Sequence, residues 1–131
     1  MQHIATYLEI YLKDKAVLVN MKLYHNPRCS KSRQALKLLE GKEFEIVEYL
    51  KKVPSMKELN EICILCGIKP TELLRKKEDK YKELVKRYGE PNNKKALEWM
   101  SAQPKLIERP ILINGDKGIV GRPPEKILEI I

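Results

Sequence analysis

The sequence contains few aromatic residues and no long apolar run. Its 131 residues include one Phe, one Trp and six Tyr, and no stripe of Lys and Arg is interleaved with these rings. Proteins that bind single-stranded nucleic acid use such stripes as stacking platforms, so nucleic acid is not favoured as a partner. A transmembrane helix needs about 20 consecutive apolar residues, and the lack of such a run excludes a membrane-spanning segment.

Cysteine is also scarce, with only Cys29, Cys63 and Cys66. An odd number of cysteines at uneven spacing argues against a disulfide framework and favours reduced thiols. The first residues also lack the basic start, apolar block and small-residue cleavage site of a signal peptide. We therefore expect a cytoplasmic protein.

The pair Cys63 and Cys66 has the spacing of a redox pair or of half a zinc site. The only histidines are His3 and His25, so no second Cys/His pair exists to complete a zinc site. Both cysteines also continue a stripe with Leu59 at near-helical spacing, which is typical of a buried helix face. We predict that they pack in the core as small apolar residues and bind no metal.

Acidic residues are outnumbered, with 18 Asp and Glu against 26 Lys and Arg, which gives a formal net charge of +8. Much of this charge is interleaved Lys and Glu, as on a solvated surface. A basic balance also suits an anionic small substrate, an acidic protein partner or nucleic acid. The length and the hydrophobic content of 43% fit one soluble globular domain.

The hydrophobic pattern predicts four strands, at 21–24, 44–49, 111–113 and 117–120. It predicts helices at 30–40, 55–66, 70–75, 81–88, 93–102 and 123–130. Apolar residues on both faces of 44–49 favour a strand that is covered on both sides. The order of elements predicts an α/β, thioredoxin-like fold with a mixed four-stranded sheet and a helical insertion after the second strand.

Residues 1–20 are expected to form an N-terminal extension to the domain at 21–131. Within the extension, 4–12 is weakly helical in pattern and 16–19 is a short apolar run. Met21 could itself be a translation start, in which case the extension lies upstream of it.

One cysteine, Cys29, lies where the first predicted strand turns into the first predicted helix. There it faces the unpaired backbone N–H groups and the positive dipole end of the helix, which favour a thiolate. Four nearby residues add positive or protonatable groups that act in the same direction: His25, Arg28, Lys31 and Arg33. The alternative is a buried structural thiol, but a cap position beside three cations suits an apolar side chain poorly. We predict a reactive thiol.

Four short motifs together resemble those of the glutaredoxin-coupled arsenate reductase family, within the ArsC/Spx superfamily. They are HNPRCSKSR at 25–33, LLRK at 73–76, ERPI at 108–111 and GRP at 121–123. They occur in the family's order, and the resemblance covers 21–131.

The resemblance implies that Cys29 is the nucleophile on arsenic and that His25 and Ser32 help to hold its thiolate. It implies further that the arsenate oxygens are bound by three arginines, Arg75, Arg109 and Arg122. It also implies a cis-proline at 110 that faces the cysteine. Guanidinium groups offer paired donors to a tetrahedral oxyanion, and cations reduce its repulsion of an approaching thiolate.

The residue three positions after Cys29 is Ser32, so an oxidised Cys29 needs an external thiol to resolve it. In the family that the sequence resembles, glutathione attacks the cysteine–arsenic adduct and glutaredoxin then removes the glutathione. We therefore expect glutathione as a co-substrate, glutaredoxin as a partner and no tightly bound cofactor.

Two alternatives remain open. Spx-type regulators are similar in sequence and bind RNA polymerase, but their sensor is a Cys-x-x-Cys pair, and Ser32 replaces its second cysteine here. A general thiol oxidoreductase is the other alternative, because arginines that bind arsenate also accept sulfate, phosphate or a glutathione carboxylate.

Overall fold

The computed structural model describes residues 20–131. The elements, in chain order, are β1 (Met21–His25), α1 (Ser30–Leu38), β2 (Glu45–Glu48), α2 (Met56–Cys66), α3 (Pro70–Leu73), α4 (Asp79–Tyr88), α5 (Asn93–Ala102), a 3-10 turn (Pro104–Leu106), β3 (Ile111–Asn114), β4 (Lys117–Val120) and a closing 3-10 helix (Pro124–Ile130). The helix predicted at 4–12 and the apolar run at 16–19 lie outside the described residues.

The strands form one mixed sheet in the order β2-β1-β3-β4. β1 and β2 are parallel, whereas β3 is antiparallel to both β1 and β4. Helix α1 connects the parallel pair, a tight turn joins β3 to β4, and helices α2–α5 lie between β2 and β3 in the chain. The predicted thioredoxin-like fold with a helical insertion is confirmed.

Alternate residues along a strand point to opposite sides of the sheet, and an apolar cluster lies on each side. One face packs against α1 and the closing 3-10 helix through a small cluster: Leu23, Ala35, Leu39, Leu112 and Ile127. The other face packs against the inserted helices through a larger cluster that includes Tyr24, Val47, Tyr49, Leu59, Leu73, Met100 and Ile111. Cys63 belongs to this second cluster and Cys66 packs against it, so both cysteines lie in the core as predicted.

The prediction that β2 is covered on both sides is wrong for one of its faces. Val47 is buried, but Ile46 on the opposite face is 46% exposed. β2 is an edge strand of the sheet, and Ile46 is not part of the cluster that covers this face.

Local signals set the helix ends. The Ser55 hydroxyl accepts a hydrogen bond from the Glu58 N–H at 3.1 Å and caps α2, and Gly67 ends this helix with φ 66°. Helix α5 is capped by Asn92, whose side-chain oxygen accepts from the Lys95 N–H. The helix predicted at 70–75 ends at Leu73, because Leu74 pairs with Ile107 in an isolated β-bridge. That bridge takes the following residue, Arg75, out of the helix.

We expect Ser55→Ala to lower the free energy of unfolding by about 1 kcal/mol, since it removes the cap of α2. Denaturant unfolding followed by circular dichroism measures the change. Ser30→Ala is the control, because Ser30 is an exposed serine in the first turn of α1 that does not cap a helix. An equal loss in both variants would contradict the capping role.

Candidate active site

The loop after β1 positions Cys29 by backbone and side-chain hydrogen bonds. The Cys29 N–H donates to the Asn26 carbonyl at 3.0 Å, and the Arg28 N–H donates to the Asn26 side-chain oxygen at 3.0 Å. The buried Ser32 hydroxyl accepts from the Asn26 N–H at 3.3 Å. Cys29 itself is the N-cap residue of α1, with extended backbone angles. Its thiol is therefore at the N-terminal end of the helix.

The surroundings of Cys29 favour its thiolate. Partial burial raises the pKa of the thiol, but hydrogen bonds from the backbone and hydroxyl of Ser32, from the Arg109 side chain and from the Lys31 backbone outweigh it. The net result is a pKa of about 7, below the ordinary value of 9.0. At neutral pH, a substantial fraction of the Cys29 side chains is therefore ionised.

The cations that stabilise this thiolate differ from those expected from the sequence. Arg28 and Arg33 are exposed, and the Arg33 guanidinium donates to the Pro27 carbonyl at 3.0 Å. Lys31 contributes its backbone N–H and not its ammonium group, while the charged partner is Arg109. Arg28 lies in the loop before α1, and the Arg33 side chain is directed to the Pro27 carbonyl.

His25 also departs from the expectation that it adds positive charge. It is the last residue of β1 and is buried. Burial is the main cause that lowers the pKa of His25, Arg33 lowers it further, and Glu48 partly opposes both. The imidazole is therefore mainly neutral at pH 7.

The isolated bridge between Leu74 and Ile107 brings two chain segments of the candidate site together. Within it, the Arg75 N–H donates to the Leu106 carbonyl at 2.7 Å, and the Glu108 N–H donates to the Leu73 carbonyl at 2.8 Å. Arg75 and Glu108 lie diagonally across this bridge with their side chains 3.6 Å apart, although 33 positions separate them in the chain.

Arg122 joins the same group from the loop after β4. Its Nε donates to the Arg109 carbonyl at 2.9 Å and lies 2.8 Å from the Glu108 carboxylate. The peptide bond between Arg109 and Pro110 is cis, as the resemblance implied, and so is the bond between Arg122 and Pro123, which the sequence did not indicate. The three predicted arginines thus lie within one cluster, and Arg109 links that cluster to Cys29.

Two glutamates belong to this cluster that sequence reasoning missed. Oε1 of Glu108 lies 3.6 Å from Nη1 of Arg75 in addition to its contact with Arg122, and Glu78 lies 3.2 Å from Nε of Arg75. They offset part of the positive charge and restrict the arginine side chains. The position of Glu108 beside Arg109 in the ERPI motif was visible in the sequence, but its contact with Arg122 depends on the fold.

Several buried polar atoms near Cys29 have no hydrogen-bond partner among residues 20–131. They are Nε and Nη1 of Arg75, Nε of Arg109, the Tyr49 hydroxyl and Nδ1 of His25. The contacts of Arg75 with the two glutamates are therefore ion pairs that lack the alignment of a hydrogen bond. A buried polar group without a partner costs about 1–3 kcal/mol, so such a cluster is expected where a ligand binds.

A groove of about 560 Å³ opens from the arginine cluster. Its lining includes Arg75, Arg122, Lys76 and Lys77 together with Glu72 and Glu108, whereas Cys29 and Arg109 are not among the lining residues. The groove therefore offers mainly positive charge to a bound molecule and has room for one larger than an oxyanion.

The other two cysteines are poor nucleophiles. Burial raises the pKa of Cys63 to about 11 and that of Cys66 to about 12. Within the part of the chain that the structure describes, no three metal-ligating side chains are grouped as a metal site requires. The same residues include no helix long and apolar enough to cross a membrane.

Comparison with known proteins places this geometry in a family. The sequence model of the ArsC family matches residues 24–130. An arsenate reductase of Haemophilus influenzae is 45% identical over 112 residues, which cover 83% of this chain and 97% of the relative. The Escherichia coli protein named "Uncharacterized protein YfgD" is 43% identical over 85% of this chain and 96% of its own.

Solved structures agree with the sequence matches. The structure of an arsenate reductase from Vibrio cholerae is 39% identical and superposes with a TM-score of 0.80, covering 85% of this chain and 97% of that one. The family match spans nearly all of the described residues and includes Cys29 and the three arginines. The chain belongs to the ArsC family.

Proposed function

We propose that this chain is an arsenate reductase whose reaction passes through a covalent adduct of arsenic with Cys29. The observation that carries the proposal is a thiol with a pKa of about 7, hydrogen-bonded to an arginine, beside buried guanidinium atoms that lack hydrogen-bond partners. Such a site suits a tetrahedral oxyanion that a thiolate must approach. The relatives named arsenate reductase support the choice of arsenate.

In the first step, the Cys29 thiolate attacks arsenic. A sulfur–arsenic bond forms and an arsenic–oxygen bond breaks, and the departing hydroxide takes a proton from solvent to leave as water. Arg75, Arg109 and Arg122 bind the remaining oxygens and offset their charge, while the N-terminus of α1 supplies further N–H donors.

The reduction needs a second thiol, for which we propose glutathione. Its thiolate attacks the Cys29 sulfur, a disulfide forms, and the electron pair of the sulfur–arsenic bond passes to arsenic. As(V) thereby becomes As(III) and arsenite is released. Glutaredoxin then removes glutathione from Cys29 by thiol–disulfide exchange. No tightly bound cofactor takes part.

An external thiol fits the placement of the three cysteines. Cys63 and Cys66 lie in the core with raised pKa values, so they do not supply a resolving thiolate. All three cysteines are free thiols, which supports the proposal that the protein works in the cytoplasm, where thiols are kept reduced.

We expect Cys29→Ser to abolish arsenate-dependent NADPH oxidation in an assay with glutathione, glutaredoxin and glutathione reductase, because no other thiol is positioned to attack arsenic. Circular dichroism should show the fold retained. Cys66→Ala is the control and should keep most of the activity. Activity retained by Cys29→Ser, or an unsubstituted chain inactive with arsenate, would contradict the proposed function.

The pKa of Cys29 can be measured from the pH dependence of its alkylation by iodoacetamide. We expect a midpoint near pH 7. Arg109→Ala should raise the midpoint to about 8 or above, because the thiolate loses a charged hydrogen-bond donor and the neutral thiol loses nothing comparable. The matched control is Arg28→Ala, which removes an exposed cation adjacent to Cys29 in sequence. Equal shifts in the two variants would contradict the role of Arg109.

A further inference from the structure

Tyr49 lies at the same edge of the sheet as the cysteine loop. It follows Glu48, the last residue of β2, which pairs in parallel register with His25, the last residue of β1. The carboxyl ends of parallel strands meet at one edge of a sheet, where ligands commonly bind in α/β folds. The Tyr49 ring is completely buried and belongs to the same apolar cluster as Leu74 and Ile107, the bridge residues beside Arg75 and Glu108.

The hydroxyl of Tyr49 differs from those of the other two buried tyrosines. Tyr24 donates to Glu58 at 2.7 Å and Tyr81 donates to Glu90 at 3.0 Å. The Tyr49 hydroxyl has no acceptor for its proton among the described residues, and the nearby Arg109 guanidinium can only donate to its oxygen. Native structures rarely leave a buried hydroxyl unpaired, and a bound ligand is one of the standard explanations.

The groups around this hydroxyl are those of the candidate site. Burial is the main cause that raises the pKa of Tyr49, and the charges that act on it are those of Arg109, Arg75 and Cys29. The phenol therefore keeps its proton at neutral pH and is available as a donor. Nε of Arg109 also lacks a hydrogen-bond partner within residues 20–131, whereas Nε of Arg75 faces the Glu78 carboxylate at 3.2 Å. One anion with several oxygens would satisfy the Tyr49 hydroxyl and the Arg109 Nε together.

We propose that the Tyr49 hydroxyl donates a hydrogen bond to the oxyanion bound beside Cys29 and is thus a substrate-binding residue in addition to the three arginines. The proposal rests on the proposed function for the identity of the oxyanion. A neutral donor binds an arsenate oxygen without adding charge, and its place in the apolar core fixes its direction. Tyr49 is thereby suited to orient the oxyanion, whereas the arginines mainly supply attraction.

Tyr49→Phe tests the proposal, because it removes only the hydroxyl. The dissociation constant for arsenate is measured by isothermal titration calorimetry in a Cys29→Ser background, where no adduct forms. We expect it to rise about tenfold, as for the loss of one hydrogen bond to a charged group. Tyr24→Phe is the matched control, since it removes a buried tyrosine hydroxyl on the neighbouring strand and should change the constant less than twofold.

Four further measurements separate binding from a structural role. The melting temperature of Tyr49→Phe without arsenate should stay close to that of its parent, because the phenol proton has no acceptor among the described residues and only the contact with the Arg109 guanidinium is lost. The KM for arsenate should rise in Tyr49→Phe with Cys29 unchanged, while the pH midpoint of Cys29 alkylation stays near 7.

In the chain that retains Tyr49, arsenate should shift the ¹³Cζ resonance of this tyrosine. This measurement does not depend on the folding of a Tyr49 variant.

The outcomes distinguish this inference from the function on which it rests. If the parent binds arsenate and Tyr49→Phe binds it equally well, or if the Tyr49 resonance does not move, the role of Tyr49 is wrong and the proposed function stands. If the parent does not bind arsenate at all, the proposed function and the role of Tyr49 are both wrong.

Discussion

The stabilisation of one thiolate at the start of a helix is the interaction on which the whole site depends. Backbone N–H groups of α1 and the Arg109 guanidinium lower the pKa of Cys29 to about 7 in spite of its partial burial. Without these donors the sulfur would be an ordinary thiol and would not attack an oxyanion at neutral pH. The three cationic side chains would then bind anions but perform no chemistry.

The fold brings this thiolate and the arginines together from distant parts of the chain. β1 and α1 supply the cysteine, the inserted helices supply Arg75, and the segments on either side of the β3–β4 hairpin supply Arg109 and Arg122. The bridge between Leu74 and Ile107 joins the insertion to the segment before β3. Glu108 then contacts both Arg75 and Arg122, so one carboxylate holds two of the three guanidinium groups before substrate binds.

The sequence was most informative where the physics is local. Ser55 and Gly67 mark the ends of α2 through capping and a left-handed turn, and the placement of Cys29 between a strand and a helix predicted its N-cap position.

The sequence was least informative about tertiary contacts. Arg28 and Arg33 lie one and four positions from Cys29 in sequence but are exposed, whereas its charged partner Arg109 is 80 positions away. The neutral state of His25, the exposed face of β2 and the position of Tyr49 likewise depend on burial, which only the assembled fold defines. The roles assigned to His25, Ser32 and the three arginines stay predictions.

The central claim is that an oxyanion binds directly beside the Cys29 sulfur. A crystal structure of the protein with arsenate, determined without added thiols, tests it most directly. We expect arsenic at covalent distance from Sγ of Cys29, with its oxygens on the guanidinium groups of Arg75 and Arg109. Arsenate bound elsewhere, with Cys29 free and the guanidinium groups unoccupied, would contradict the account.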